Sequence, residues 1–307
     1  MALLLAGSFL PPAAVAFDPP DRKIPVWPKL APGENSASQG TRRPRRAHEN
    51  PPAIRVSHIT QPMLAFFEPP AEKRVGAVVL ILPGGGYNYV VIDKEGSEAA
   101  LWLNRFGITG VVLHYRTKNE GKGPHWKRPL QDTQRALRLL RTHAGEWGFE
   151  PDRIGLMGLS AGGQVAAMAA TRHQVPAYRA IDAIDRVSSR PDFALLIYPW
   201  NIYDAEADRL IPQVEVSSTT PPTFLLHTHD DRSSSVGSAH FYLALKKREI
   251  PAELHVFQNG GHGYGMRPVA GSDVGTWPER ATDWLHRRGL ALPADGSPPA
   301  KAPPSAR

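Results

Sequence analysis

Short apolar runs alternate with amphipathic stretches through the middle of the chain. Most of these runs are apolar at every position, which is typical of strands that are covered by helices on both faces. Turn residues bound each run, so the lengths fit single strands. The pattern predicts strands over residues 77–82, 110–115, 154–157, 193–198, 223–228 and 253–257.

Helical spacing of apolar residues fills the intervals between these strands. A helix is predicted to open beside Pro129 with Leu130, Leu137 and Leu140 on one face, and a second is predicted over 236–248. A third begins with the capping pattern of residues 276–279 and stops at Gly289. This alternation predicts an α/β fold with a mostly parallel sheet and helices on both faces, in which ligands bind at the carboxyl ends of the strands.

A G-x-S-x-G pattern, Gly158 to Gly162, directly follows the predicted strand 154–157 and precedes an Ala-rich helical stretch. That context is the one a nucleophile elbow requires, because a sharp strand-to-helix turn exposes the serine hydroxyl. The small residues at both ends of the pattern let neighbouring backbone approach. We therefore predict Ser160 as a nucleophile.

A serine hydroxyl needs a base, and the base needs an acid that orients it. His262 lies among glycines just after the predicted strand 253–257, and it is the candidate base. Asp230 and Asp231 follow the strand 223–228. We prefer Asp230 as the acid because it comes first after the strand. Asp231 is the alternative acid; if Asp230 is the acid, Asp231 is a solvated neighbour or a partner for Arg232.

A run of glycines, residues 84–86, follows the predicted strand 77–82. Gly85 and Gly86, together with the N–H of Ala161 at the start of a helix, are candidate donors to an oxyanion. A phosphate-binding loop is the alternative. It is disfavoured because no Lys-Ser/Thr follows the glycines and the G-x-G-x-x-G spacing is absent.

His227 and His229 next to the two aspartates could suggest a metal cluster. No further ligand motif accompanies them, and the segment already fits the end of a buried strand. The expectation is that the protein uses neither a metal nor another cofactor.

Composition narrows the class of protein further. The chain has 307 residues, 41% hydrophobic and 21% charged, which is enough apolar surface for one large domain or two small ones. It contains no cysteine, which excludes a disulfide scaffold, a catalytic thiol and an iron–sulfur cluster. No apolar run is long enough to predict a membrane span. Most of the net charge of +7 lies towards the two ends, so no nucleic-acid partner is expected.

Both ends differ in composition from the middle. Residues 1–16 are apolar and end in Ala14-Val15-Ala16, which fits a signal peptide and predicts a secreted or periplasmic location. The basic n-region of a signal peptide is missing, so a cytoplasmic location is the alternative. Residues 17–53 are rich in Pro and Arg, and residues 291–307 in Pro and Ala. Both are predicted to be flexible segments around a catalytic domain of residues 54–290. Nothing in the pattern predicts the oligomeric state.

The chain resembles the α/β-hydrolase superfamily, and within it the bacterial acetylxylan and feruloyl esterases, which are themselves similar to the catalytic domain of prolyl oligopeptidases. The resemblance rests on residues 82–87, 114–116, 129–141, 151–163, 221–231 and 253–265. It implies Ser160, Asp230 and His262 as the triad, since the first acid of an Asp-Asp pair serves in the oligopeptidase-like pattern. Pro83 stands where lipase-type relatives have His, and Ser233-Ser-Ser235 replaces the usual Val-Pro. The short interval between Tyr198 and Thr223 implies a short or absent cap.

The resulting expectation is a serine carboxylesterase that hydrolyses acetyl or feruloyl esters through an acyl-enzyme. Its substrate would be a small-molecule ester or a plant polysaccharide, as the resemblance implies. Two alternatives remain open at this stage. One is a serine peptidase of the prolyl oligopeptidase type, and the other is a non-catalytic carbohydrate-binding protein with the same fold.

Overall fold

The computed structural model describes residues 18–47, 49–117 and 123–292. Within these ranges the strands are β1 (Arg22–Pro25), β2 (Gln39–Arg42), β3 (Arg55–Ile59), β4 (Met63–Phe67), β5 (Val78–Leu82), β6 (Val90–Val91), β7 (Thr109–His114), β8 (Ile154–Leu159), β9 (Phe193–Ile197), β10 (Tyr203–Asp204), β11 (Arg209–Leu210), β12 (Thr223–Thr228) and β13 (Ala252–Phe257). The α-helices are α1 (Glu98–Asn104), α2 (Lys127–Thr142), α3 (Ala161–Thr171), α4 (Val236–Lys246) and α5 (Trp277–Arg287).

Eight strands form the central sheet in the order β1-β4-β7-β5-β8-β9-β12-β13. The pairs β1–β4 and β4–β7 are antiparallel, and every later pair is parallel. The carboxyl ends of β5, β8, β12 and β13 therefore lie at one edge of the sheet. The predicted mostly parallel sheet is confirmed, and all six predicted strands occur with small shifts at their ends.

Alternate side chains of the sheet enter two separate hydrophobic layers. In β5, Val78 and Leu80 pack in the layer that contains buried residues of α2, α3 and α4. Val79 and Ile81 point to the other face, where residues of α1 and α5 pack. Since side chains alternate between the two faces of a strand, helices on both faces explain why these strands are apolar throughout. The predicted α/β fold with helices on both faces of the sheet is confirmed.

The N-terminal segment packs against this domain, so the prediction of a flexible segment over 17–53 is wrong for its described residues. β1 pairs with β4, and Val26 and Trp27 are buried. The indole N–H of Trp27 donates to Oδ1 of Asp132 at 2.8 Å, and its ring packs edge-on against Tyr178. The segment is poor in large apolar residues, but the few it has are buried against side chains that the domain supplies.

The connection between β9 and β12 is short, and all of its residues are described. It contains only the two-residue strands β10 and β11, which agrees with the expected short or absent cap.

At the end of the last described range, Ala291 is buried and the N–H of Leu292 donates to the carbonyl of Phe106. The domain thus extends past the predicted boundary at 290. The predicted signal peptide, residues 1–16, and residues 293–307 lie outside the described residues. In the described ranges, no helix has both the length and the apolarity for crossing a membrane.

Candidate active site

Ser160 occupies the junction between β8 and α3 in a strained backbone conformation, with φ 55° and ψ −122°. The turn is possible because the flanking glycines have no side chain. A Cβ on Gly162 would lie 2.0 Å from the carbonyl oxygen of Leu82, and one on Gly158 would lie 2.4 Å from the carbonyl oxygen of Gly162. Strain that the surrounding packing maintains at a hydroxyl lining a pocket is typical of a nucleophile elbow.

The structure brings His262 to this serine. The Ser160 Oγ and the His262 Nε2 are 2.7 Å apart, although 102 residues separate them in the chain. The histidine follows β13 in a loop where Gly261 and Gly263 have φ of 65° and 75°, a region that favours glycine. The rings of Tyr198 and Trp200 pack edge-on against the imidazole, with centroids 5.1 and 5.3 Å away. These contacts hold the ring at the serine.

The acid next to His262 is Asp231, so the preference for Asp230 is wrong. Asp231 Oδ2 lies 2.7 Å from His262 Nδ1. Asp230 is exposed and accepts the backbone N–H groups of Gly260 and Gly261, at 3.2 and 2.9 Å. After β12 ends, the chain turns so that the second aspartate faces the sheet edge and the first faces the outside of the histidine loop.

Hydrogen bonds keep the Asp231 carboxyl ionised. Its side chain is fully buried, and burial raises its pKa. Hydrogen bonds from His227, His262 and the N–H of Ser233 outweigh that effect and lower the pKa to about 2. An ionised carboxylate can only accept, so the His262 Nδ1 carries a proton and Nε2 is free to accept from the Ser160 hydroxyl.

His227 contacts the Asp231 carboxylate and supports it, a role that the sequence analysis missed. Its ring is buried, with Nε2 2.8 Å from the carbonyl oxygen of Ser233 and 3.2 Å from Asp231 Oδ2. The Nδ1 lies 2.9 Å from the Ser238 Oγ. Because a carbonyl only accepts, Nε2 carries the proton. The signal in the sequence was a histidine inside an otherwise apolar strand, since a buried polar group needs partners.

No cluster of three or more potential ligands that could hold a metal ion occurs in the ranges 18–47, 49–117 and 123–292.

The glycine run after β5 lies beside Ser160. Gly85 and Gly86 line the same pocket as Ser160 and His262, and their φ angles are 138° and 59°. Ala161 is the first residue of α3, where backbone donors have no partner within the helix. Two of the three candidate oxyanion donors thus share a pocket with the serine, and the third directly follows it in the chain.

Glu95 is a second group that the sequence analysis missed, and no motif marks it. Its Oε2 accepts the N–H of Gly84 at 2.7 Å, and its Oε1 accepts the hydroxyl of Tyr198 at 3.0 Å. The Tyr198 oxygen in turn accepts the N–H of Gly265 at 2.9 Å. Burial raises the pKa of Glu95. This carboxyl thus joins the glycine run to the histidine loop.

A pocket of about 480 Å³ opens in front of Ser160. Aromatic and basic side chains share its wall, among them Tyr89, Trp200, Lys94 and Arg232. An activated hydroxyl at the base of such a pocket, with backbone donors nearby, can attack an electrophilic carbonyl carbon.

Comparisons with known proteins show what the chain is similar to. The BD-FAE family matches residues 64–183. The chain is 28% identical to an acetylxylan esterase of Xylanibacter ruminicola over 232 residues, 67% of this chain and 43% of that protein. It is 29% identical to endo-1,4-beta-xylanase B of Butyrivibrio fibrisolvens over 204 residues, 60% of this chain and 32% of that protein. The chain thus spans less than half the length of either relative.

A solved structure is similar over nearly its whole length. The acetyl ester-xyloside bifunctional hydrolase of Caldicellulosiruptor lactoaceticus superposes with a TM-score of 0.68 at 31% identity, and the match covers 89% of this chain and 98% of that one. The strand order, the strained serine turn and this match lead to one assignment. The chain belongs to the α/β-hydrolase superfamily and, within it, to the group of bacterial esterases similar to acetylxylan and feruloyl esterases.

Proposed function

We propose that this protein is a serine carboxylesterase that removes acetyl or feruloyl groups from plant polysaccharide. The observation that carries the proposal is the chain of two 2.7 Å contacts that joins Ser160, His262 and Asp231. An ionised carboxylate at one end and a hydroxyl on a strained turn that lines the pocket at the other are the parts that acyl transfer needs.

In the first half of the reaction, the Ser160 Oγ attacks the ester carbonyl and His262 Nε2 takes the hydroxyl proton. Asp231 stabilises the imidazolium that forms and holds the ring in place. The N–H groups of Gly85, Gly86 and Ala161 donate to the oxyanion of the tetrahedral intermediate. The C–O bond then breaks, and His262 gives its proton to the departing alcohol, leaving an acyl-serine.

In the second half, water replaces the alcohol. His262 Nε2 takes a proton from the water as it attacks the acyl carbonyl, and it returns that proton to the Ser160 Oγ as the carboxylic acid leaves. Tyr198 and Trp200 hold the ring within reach of both nucleophiles.

The substrate class is supported by the names of the relatives and by the shape of the site. The Xylanibacter relative is an acetylxylan esterase, and the Caldicellulosiruptor structure is an acetyl ester-xyloside hydrolase. Within the described residues, the short connection between β9 and β12 contributes no large cap to the pocket, which favours a polymer substrate.

A fluorophosphonate probe tests the nucleophile, because it labels only a serine that a base activates. We expect one adduct, on Ser160, and none in the Ser160→Ala variant, which should keep its melting temperature and lose turnover of 4-nitrophenyl acetate. Retained turnover in that variant would overturn the proposal. No adduct on the folded wild-type protein would favour a non-catalytic, carbohydrate-binding role.

A substrate panel tests the reaction class. Acetylated xylan, feruloylated arabinoxylan and 4-nitrophenyl acetate should release their acids, with Ser160→Ala as the blank. A prolyl-peptide anilide should be a poor substrate. Faster cleavage of the anilide than of every ester would replace the esterase with an oligopeptidase-type peptidase.

A further inference from the structure

The pocket in front of Ser160 carries more positive than negative side chains. Its wall contains four basic residues and two acidic ones, Arg46, Arg55, Lys94, Arg232, Glu49 and Glu95. Such a wall raises the local concentration of anions, because low-dielectric surroundings screen the charges less than bulk water does.

Two of the basic residues already share one carboxylate within the protein. Arg55 forms a short ion pair with Glu49, and Arg46 lies 3.5 Å from the same carboxylate. The hydrogen bond from Arg55 is the main reason that the pKa of Glu49 falls to about 2, so this acid is ionised at neutral pH. The cluster of Arg46, Glu49 and Arg55 therefore holds its shape without a ligand.

Lys94 and Arg232 are different, because neither forms an ion pair with any carboxylate in the described ranges. The Arg232 guanidinium lies over the ring of Trp200, 5.0 Å from its centroid, which leaves its N–H groups available. Arg232 is exposed, and Trp200 packs against the catalytic histidine. The guanidinium thus stands close to the reacting groups.

Lys94 is half-buried on the wall of the pocket. Burial lowers the pKa of its ammonium, which means that the charge is partly removed from water. The adjacent acid Glu95 attracts this charge, but its two oxygens accept from Gly84 and Tyr198. Lys94 therefore loses part of its hydration without gaining a hydrogen bond to a carboxylate of the described residues. A ligand that brings a carboxylate into the pocket would stabilise such a cation.

We propose that the pocket prefers esters that carry a carboxylate close to the scissile bond, with Lys94 and Arg232 as the specificity-determining residues. This inference rests on the proposed function, since it names the substrate class of the same site. The carboxylate has two possible sources. It can belong to an acidic sugar on the alcohol side of the ester, or to the free end of a dicarboxylic acyl group.

Matched pairs of substrates distinguish the two sources. The alcohol-side pair is an acetylated xylo-oligosaccharide with and without a glucuronic acid branch. The acyl-side pair is the 4-nitrophenyl half-ester of glutaric acid and 4-nitrophenyl valerate. The readout is the ratio of kcat/KM for the acidic substrate to that for its neutral partner, and we expect about 5- to 30-fold at low ionic strength in one pair.

Variants then assign the preference to the two cations. Lys94→Met and Arg232→Gln should each move that ratio towards 1, whereas Lys247→Gln, an exposed lysine beyond α4, should keep the wild-type ratio. Fluorophosphonate labelling of each variant shows that the serine site is intact. A measurement without variants supports the same point, because the wild-type ratio should fall as ionic strength rises from 0.02 to 0.5 M.

The outcomes separate this inference from the proposed function. Ratios near 1 in both pairs, or a ratio that survives both substitutions and high salt, would overturn the preference while leaving the esterase intact. Absence of labelling and of 4-nitrophenyl acetate hydrolysis would instead remove the proposed function. A preference in the oligosaccharide pair identifies an acidic sugar, and one in the aryl pair identifies a dicarboxylic acyl group.

Discussion

The carboxylate of Asp231 accepts the Nδ1 proton of His262 across 2.7 Å, while its second oxygen accepts the N–H of Ser233 at 2.8 Å. Asp231 is therefore tied to the histidine on one side and to its own turn on the other. Asp230, next to it in the chain, instead accepts the backbone N–H groups of the histidine loop at Gly260 and Gly261.

Exchanging each aspartate in turn tests this division of roles. Asp231→Asn should lower kcat on 4-nitrophenyl acetate by about 10³- to 10⁴-fold, because an amide that donates to Nδ1 holds the imidazole in the wrong tautomer. Asp230→Asn keeps an oxygen for the loop N–H groups and should change kcat by less than about tenfold. The reverse order of effects would restore Asp230 as the acid.

Acid sensitivity should follow from the same carboxylate. The pKa of Asp231 is about 2 in the folded protein, below the value of about 4 in an unfolded chain, so the folded state favours the ionised form. This stabilisation, about 2 kcal/mol, is present above pH 4 and is lost as the pH falls towards 2. Urea unfolding of the wild type should therefore lose more free energy between pH 5 and 2 than unfolding of Asp231→Asn. Parallel pH curves for the two proteins would contradict the assignment.

Glu95 should act as a positioning residue. Glu95→Ala leaves the N–H of Gly84 without its acceptor, at a cost of about 1 to 3 kcal/mol. We expect lower kcat with little change in KM, because the glycine run and the histidine loop lose their shared partner. Glu95→Gln keeps an acceptor and should recover part of the loss. Glu206→Gln, an exposed control, should match the wild type. Equal activity in Glu95→Ala and the wild type would exclude this role.

Within the glycine run, a methyl group should be tolerated at Gly86 and not at Gly85. A Cβ on Gly85 would lie 1.9 Å from the carbonyl oxygen of Tyr89, so Gly85→Ala must move the loop. Loss of its donor geometry should lower kcat by about 10²-fold or more. The nearest atom to a Cβ on Gly86 is 3.7 Å away, and the positive φ alone should cost about 1 kcal/mol. The measurements are kcat and the melting temperature of the two variants. Similar values for Gly85→Ala and Gly86→Ala would contradict this loop geometry.

The N-terminal segment should contribute to the stability of the domain. Trp27 is 3% exposed and hydrogen bonded to Asp132, so Trp27→Ala should lower the free energy of unfolding by about 3 to 5 kcal/mol. Leu30 is 48% exposed in the same segment, and Leu30→Ala should cost less than about 0.5 kcal/mol. Chemical denaturation of both variants measures the difference. Equal small losses would mean that the segment does not pack on the domain in solution.

Local patterns in the chain were sufficient to predict the fold and two residues of the site, Ser160 and His262. Strands that are apolar at every position can only be buried on both faces, which predicts a parallel sheet between helices. Ser160 and His262 stood out because glycines surround each of them, and tight turns after strands need glycine. Their meeting at one sheet edge followed from the parallel strands.

Tertiary packing alone decided the rest. Asp230 and Asp231 are neighbours of identical chemistry, and only the turn after β12 determines which carboxylate faces a ring 31 residues further along. The same holds for the partnership of Glu95 with Gly84 and Tyr198, and for Trp27 against Asp132. By itself, the sequence determined which segments must be buried and where the nucleophile lies, because hydrophobic periodicity and glycine turns are local. The choice of acid, the buried support of the site and the packing of the N-terminal segment depend on contacts between distant residues, which no local pattern encodes.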